Sequence, residues 1–275
     1  MLKKFDYQLI RRLSIVGSGA LATFYALKWR AYCEVSVLGT WQESILSFNT
    51  ELKIPAYTNW HEAKEPDIVV WLTKAYKNEV LLDKYNCLNW SCPILILQNG
   101  IGQRELFKSK LNKNQALLRG VTSQGAKLIS PGLVENTGDG DVFVESHIIF
   151  NNFPVIQVQN IEDVVLKKLA INAVLNPVTA LFEVKNGNAI KGEPFNQVKK
   201  IVSICFPFFE KRGIYSTEKE YLNDVIKTAQ STAENMNSML SDKQSGRRTE
   251  IHQIMGEISK EVKSDVIDRM IIELS

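Results

Sequence analysis

Two stretches, Ile-Val-Val-Trp-Leu-Thr at 68–73 and Ile-Leu-Ile-Leu-Gln at 94–98, are apolar at almost every position instead of every second one. A strand written this way has no face for water and must be covered on both sides, which is the condition of strands inside a parallel sheet. Helical text lies between them, and alternating strand and helix is the pattern of an α/β layer. Each run ends on polar residues, Lys74 after the first and Asn99-Gly100 after the second. In a parallel sheet such ends share one edge, where ligands sit. Lys74 reads equally well as a solvated lysine opening the next helix, and Asn99-Gly100 as a turn.

Residues 13–16 form a third short apolar run, followed by Gly17-Ser18-Gly19-Ala20-Leu21-Ala22 and a helical stretch at 23–30. A G-x-G-x-x-A turn between strand and helix is the context of the dinucleotide fingerprint. Gly17 permits the tight turn, Gly19 lets a pyrophosphate approach the backbone, and Ala22 keeps helix and sheet close. The phosphates then meet N–H groups at the positive end of the helix. The next strand, 34–38, runs into Gly39-Thr40. An acid there would suit the ribose hydroxyls of NAD and a nearby Arg the 2′-phosphate of NADP. Neither is in place, and Thr40 can hydrogen-bond either form.

From 117 to 158 the text turns to short strand-like pieces with turn residues, expected to be mostly antiparallel strands completing the sheet. Everything after about 160 reads as helix, so we expect a doubly wound parallel sheet of Rossmann type over 1–160 and an all-helical unit over 161–275. With 45% hydrophobic and 23% charged residues the composition is globular, and no run reads as long enough to span a bilayer. A net charge of +3, spread along the chain, gives no nucleic-acid footprint. Cys33, Cys87, Cys92 and Cys205 show neither metal pairs nor a disulfide framework, and His61, His147 and His252 lack ligand spacing, so no metal site is expected. The opening twelve residues lack a secretory pattern, which points to a cytoplasmic protein.

The stretch 168–181 is apolar nearly throughout, as in a helix buried on all sides, yet it carries Lys168, Asn172 and Asn176. Spaced four apart, they form a ladder on one face that drifts by ~40° per step. Buried amides and ammoniums cost several kcal/mol each unless paired, by protein or by ligand. Alternatively Lys168 snorkels to water and the amides satisfy local backbone. Pro177 predicts a kink beside the ladder. Further on, Asn235 and Ser238 lie three apart on one helical face, where helix capping would also explain them. Glu250 follows Arg247 by three residues, as a surface ion pair would.

The order and spacing of GSGALA at 17–22, TKA at 73–75, QNGIG at 98–102, KLAINAVLNPVTA at 168–180 with Asn186-Gly187 after it, and NSMLSD…RRTE at 237–250 resemble the ketopantoate reductase family (2-dehydropantoate 2-reductase) over nearly the whole chain. The resemblance implies a Rossmann domain joined to a helical domain, reducing ketopantoate to pantoate with NADPH on the pantothenate route. It implies Lys168 as general acid and Glu250 as the holder of the substrate hydroxyl. Asn99, Asn172, Asn176, Asn235 and Ser238 match positions that bind substrate or orient Lys168, and Lys74 matches one near the nicotinamide. Asn99 also joins the cofactor set with residues 17–22 and Thr40. The basic residue for the 2′-phosphate is replaced near Thr40, so NADH stays open beside NADPH. The C-terminal segment is short, and Asn136 stands where relatives often carry His. A small 2-oxo acid is the expected partner, and a homodimer is one assembly. The alternatives are a reductase of another 2-oxo acid and a non-catalytic dinucleotide-binding protein.

Overall fold

The computed structural model describes residues 9–39, 53–112 and 115–275. These divide into two compact units, one of residues up to 98 with 103–161, the other of 99–102 with 162–275.

The first unit is built on strands β1 (Arg12–Val16), β2 (Glu34–Leu38), β3 (Ala56–Tyr57), β4 (Ile68–Trp71), β5 (Ile94–Ile96), β6 (Leu117–Thr122), β7 (Gly125–Ser130), β8 (Leu133–Gly138), β9 (Val142–Glu145) and β10 (Ile156–Val158), with helices α1 (Ala20–Trp29), α2 (Asn78–Asn86) and α3 (Gln103–Lys110). Eight of the strands form one sheet in the order β10-β9-β6-β5-β4-β1-β2-β3. Every pairing from β3 across to β6 is parallel. The continuous apolar runs are explained by alternation between two cores. Ile68, Val70 and Leu95 face the side carrying Tyr25 and Trp29 of α1. Val69, Trp71, Ile94 and Ile96 face the side carrying Leu82 and Tyr85 of α2 and Phe107 of α3.

The stretch 117–158 departs in part from the mostly antiparallel expectation. β6 is parallel to β5 and antiparallel to β9, and β10 is parallel to β9. β7 and β8 leave the sheet as a separate antiparallel hairpin. Its residues are largely exposed or half-exposed, so neither face could have been buried in the sheet.

The chain builds β1, β2 and β3 outward on one side and then returns to lay β4 and β5 on the other, so β1 and β4 flank the point where strand order reverses. In open α/β sheets ligands bind beyond the carboxyl ends of the strands at that point.

The second unit contains α4 (Ile161–Phe182), α5 (Asn186–Ala189), α6 (Gly192–Glu210), α7 (Glu218–Ser231), α8 (Ser238–Gln244), α9 (Ile251–Ile254), α10 (Gly256–Glu261) and α11 (Asp265–Glu273). Its core gathers Ala173, Val174 and Val178 of α4 with Ile201 and Phe209 of α6, Tyr221 of α7 and Ile267 of α11. By length and mean hydropathy, 1.4, α4 could cross a bilayer, contrary to the expectation of no such run, but 61% of its apolar window is buried inside the protein. Pro177 does not end this helix, which continues to Phe182. The carbonyls at its C-terminus are met by Lys243, whose Nζ donates to Ala180 O at 2.9 Å, a cation placed where the helix dipole favours one. The text after 160, read as helix throughout, is interrupted at 247–250, which form a loop followed by α9 and α10.

Candidate active site

The glycine turn lies at the end of β1. Gly17 adopts φ +122, and its N–H donates to Leu38 O at 3.0 Å. A Cβ there would press on the Leu72 carbonyl at 3.3 Å and on Thr73 Cγ2 at 3.2 Å, so only glycine lets β1 turn this close to β4. A Cβ on Gly19 would meet nothing within 4 Å, so the backbone faces open space there. Gly19 is the N-cap of α1 and supplies no side-chain cap, and the first turn of α1 has no acidic residue. Its N–H groups therefore remain for an anion. Ser18, 1% exposed, has a hydroxyl with no hydrogen-bond partner among the described residues. A buried orphan hydroxyl beside uncapped helix donors fits a phosphate group. Ala20 and Leu21 open α1, and Ala22 is buried against the sheet. Thr40 and most of the loop after β2 lie outside the described residues.

Beyond β4 and β5 the strand ends are tied by side chains that the sequence reading passed over. Asn78 Nδ2 donates to Gln98 Oε1 at 2.9 Å, and Gln98 Nε2 donates to Asn78 Oδ1 at 2.8 Å and to Thr73 O at 2.6 Å. Trp71 Nε1 also donates to Asn78 Oδ1, at 3.0 Å. Thr73 and Gln98 are thereby locked, and Lys74, half-buried, follows at the start of the 3₁₀ turn Ala75–Lys77. No local pattern marks Asn78, because its partners lie 7 and 20 residues away.

In the helical unit, Lys168 Nζ donates to Asn99 Oδ1 at 2.8 Å. Asn99 Nδ2 donates to Glu250 Oε2 at 3.5 Å, the long limit of such a bond. This amide orientation alone serves both neighbours, oxygen toward the cation and nitrogen toward the carboxylate. Glu250 is 6% exposed, whereas Arg247 is exposed and pairs with Asp242 Oδ1 at 2.9 Å. The surface ion pair of Arg247 with Glu250 is therefore excluded as the reason for this carboxylate. The meeting of Asn99 with Glu250 depends on Gly100. It adopts φ +79, and a Cβ would overlap the Gln253 carbonyl oxygen and stand 3.0 Å from its carbon. Gln253 N in turn donates to Glu250 O at 3.1 Å.

Lys168 and Asn172 are half-buried, and Asn176 is 5% exposed. Lys168 thus reaches toward a named partner instead of being sunk fully in the core. Asn172 and Asn176 have no side-chain hydrogen-bond partner among the described residues, so local backbone does not account for their amides.

The segment 232–238 packs on the far end of α4. Asn186 N donates to Asn235 O and Gly187 N to Ala233 O, each at 3.1 Å. A Cβ on Gly187 would come within 2.7 Å of Ala233 Cβ, which explains the glycine after Asn186. The cap of α8 is Asn237, whose Oδ1 accepts from Leu240 N at 3.1 Å and whose Nδ2 donates to Thr179 Oγ1 and to Asn186 Oδ1. Thr179 Oγ1 in turn donates to Asn176 O at 3.1 Å. With Asn237 doing the capping, neither Asn235 nor Ser238 is held by a cap role. Both lie within two residues of Asn237, whose side chain joins the network that reaches Asn176.

Residues 13–147 match the family model described as Ketopantoate reductase PanE/ApbA, and residues 160–264 match that of Ketopantoate reductase PanE/ApbA C terminal. A 2-dehydropantoate 2-reductase from Pyrococcus horikoshii is 30% identical over 78% of this chain and 75% of its own. One from Archaeoglobus fulgidus is 28% identical over 94% and 93%. Among solved structures, the PanE/ApbA family ketopantoate reductase from Ralstonia eutropha shares the fold with a TM-score of 0.85 at 18% identity, covering 96% of this chain and 97% of that one. The dimeric ketopantoate reductase from Staphylococcus aureus does so at 0.78 and 16%, covering 96% and 97%. On the strength of these matches and of the motifs they span, the chain belongs to the ketopantoate reductase PanE/ApbA family.

Proposed function

We propose that this protein reduces 2-dehydropantoate to pantoate with a nicotinamide dinucleotide, in the cytoplasm, as a step of pantothenate biosynthesis. The observation that carries the reading is the chain of contacts Lys168–Asn99–Glu250, in which a cation and a buried carboxylate share one amide. The relatives from Pyrococcus horikoshii and Archaeoglobus fulgidus, both 2-dehydropantoate 2-reductases, support the same choice of substrate.

In this reading residues 1–160 hold the cofactor and 161–275 the substrate. Gly17, Ser18, Gly19, Ala20, Leu21 and Ala22 receive the pyrophosphate, and Lys74 and Asn99 lie toward the nicotinamide. When bound, the reduced nicotinamide supplies the two electrons and the hydrogen that the ketone carbon takes up. Lys168 delivers the proton that the ketone oxygen needs as negative charge develops on it, and a cationic donor there acts chiefly on the transition state. Asn99 aims the Lys168 ammonium. Glu250 accepts a hydrogen bond from the terminal hydroxyl of the substrate, and a charged acceptor in a buried setting makes that bond a strong one. Asn172, Asn176, Asn235 and Ser238 supply polar contacts to the rest of the 2-oxo acid. NADPH is the proposed cofactor and NADH the alternative, the deciding segment being the one around Thr40. Four free cysteines suit a reducing compartment. A homodimer, the form named for the Staphylococcus aureus protein, is the proposed assembly and is read by sedimentation.

The test is a spectrophotometric assay of 2-dehydropantoate with NADPH and NADH in parallel. Turnover with either supports the reading. Oxidation of the cofactor only with some other 2-oxo acid would transfer the chemistry to that substrate. Cofactor binding without turnover of any oxo acid would leave a non-catalytic binding protein.

A further inference from the structure

Arg119 is the fourth residue from the end of β6 and is 3% exposed. Its Nη1 donates to Ile96 O at 2.8 Å and to Gly120 O at 2.7 Å, and its Nη2 donates to Gln98 O at 2.8 Å. The β5–β6 ladder ends at the pair Ile96 and Arg119. Beyond that pair the guanidinium fork takes over and carries the attachment two residues further, to Gln98. A buried guanidinium is an expensive way to satisfy carbonyls, and an apolar residue of similar volume often serves stability as well or better. Its rigid planar fork does hold several acceptors in one fixed geometry, as a lysine cannot.

The peptide plane explains what that geometry is for. Gln98 O, Asn99 N and Asn99 Cα lie in one rigid plane. With Gln98 O held by Arg119 and the Gln98 side chain held by Thr73 and Asn78, the direction in which Asn99 departs is set from the sheet. Asn99 is the residue that receives Lys168 Nζ and reaches Glu250.

We propose that Arg119 is a positioning residue for the reaction: its guanidinium clamps the Gln98 carbonyl and so holds the Asn99 amide where it aims Lys168. The inference rests on the function proposed above for Lys168 and Asn99. In this proposal Arg119 acts through the 98–99 peptide and not by contact with substrate or cofactor.

The test compares Arg119→Met, which keeps volume and removes the fork, with Arg119→Lys, which keeps charge and one set of donors. Melting temperature, cofactor Kd by fluorescence titration, kcat and KM for 2-dehydropantoate, and amide hydrogen exchange of the peptide covering 98–102 are measured on the full chain. Arg119→Met is expected to fold, to bind cofactor within threefold of the parent, and to lose at least tenfold in kcat with faster exchange at 98–102. Arg119→Lys is expected to fall between the two in kcat. A folded Arg119→Met with parental kcat and parental exchange at 98–102 overturns the proposal, and so does failure of both variants to fold, which would make Arg119 a residue of sheet stability. If the parent protein does not turn over 2-dehydropantoate, the functional reading fails on its own, and the exchange measurement still decides whether Arg119 holds this segment.

Discussion

Gly100→Ala is the substitution whose outcome the structure constrains most tightly. Two separate costs apply. A side chain at φ +79 puts a non-glycine residue in left-handed backbone, worth about 1–2 kcal/mol. The added methyl would also overlap the carbonyl of Gln253, standing 3.0 Å from its carbon where about 3.5–4.0 Å is normal, so that backbone must retreat by up to about 1 Å. Overpacking of this kind costs typically about 1–3 kcal/mol. The sum, roughly 2–5 kcal/mol at about 2–4 °C per kcal/mol, lowers the melting temperature by roughly 4–20 °C. Because Gln253 N is bonded to Glu250 O, the retreat carries Glu250 away from Asn99. A misplacement near 1 Å costs about 10²-fold in turnover. Gly102→Ala is the internal control. It has the same backbone strain at φ +87, but its nearest neighbour would be Glu257 Oε1 at 3.6 Å, an ordinary contact. It is expected to lower the melting temperature by only a few degrees and to leave kcat/KM for 2-dehydropantoate nearly unchanged. Thermal melts and steady-state kinetics on the two variants check this. Equal effects of the two, or an unaltered Gly100→Ala protein, would refute the claim that close backbone approach at Gly100 sets the Asn99–Glu250 geometry.

Lys168→Ala is expected to lose about 10²–10⁴-fold in kcat while cofactor affinity persists, the usual worth of a positioned proton donor, and normal turnover would rule out the acid role. Glu250→Gln replaces the buried charged acceptor by a neutral one and should raise KM for 2-dehydropantoate about tenfold or more, with kcat less affected; an unchanged KM would count against its contact with the hydroxyl. Burial pushes the Cys92 thiol up from 9.0 to about 11, and those of Cys33 and Cys205 up to about 12. Since the folded values lie above the unfolded ones, this stability is complete below pH 9 and is lost as pH rises through the folded values, for Cys92 between about 9 and 11. The melting temperature should therefore fall across that window and fall less steeply in Cys92→Ala; a flat profile in the parent protein would contradict it.

Much of the sheet was readable in the chain because its signals are local. The doubly apolar runs at β4 and β5 declare burial on two faces, and the glycine turn needs only its neighbours to explain it. The hairpin of β7 and β8 was not separable from the sheet strands around it, since strand propensity says nothing about which partner is taken. The site residues were named from motif resemblance, and residue type alone left each with a second explanation. Asn235 and Ser238 could have been caps until Asn237 was seen capping α8, and Glu250 could have been a surface partner of Arg247 until it was found buried.

What the sequence determined by itself was the class of fold, the turn at Gly17 and the set of polar residues set into apolar text, all consequences of periodicity and backbone sterics acting over a few positions. What only the tertiary structure decided was who meets whom. Asn99 reaches Lys168 across 69 residues and Glu250 across 151, and Arg119 grips Gln98 across 21. Such contacts depend on how whole elements pack, and packing is a collective property of the core that no local pattern records.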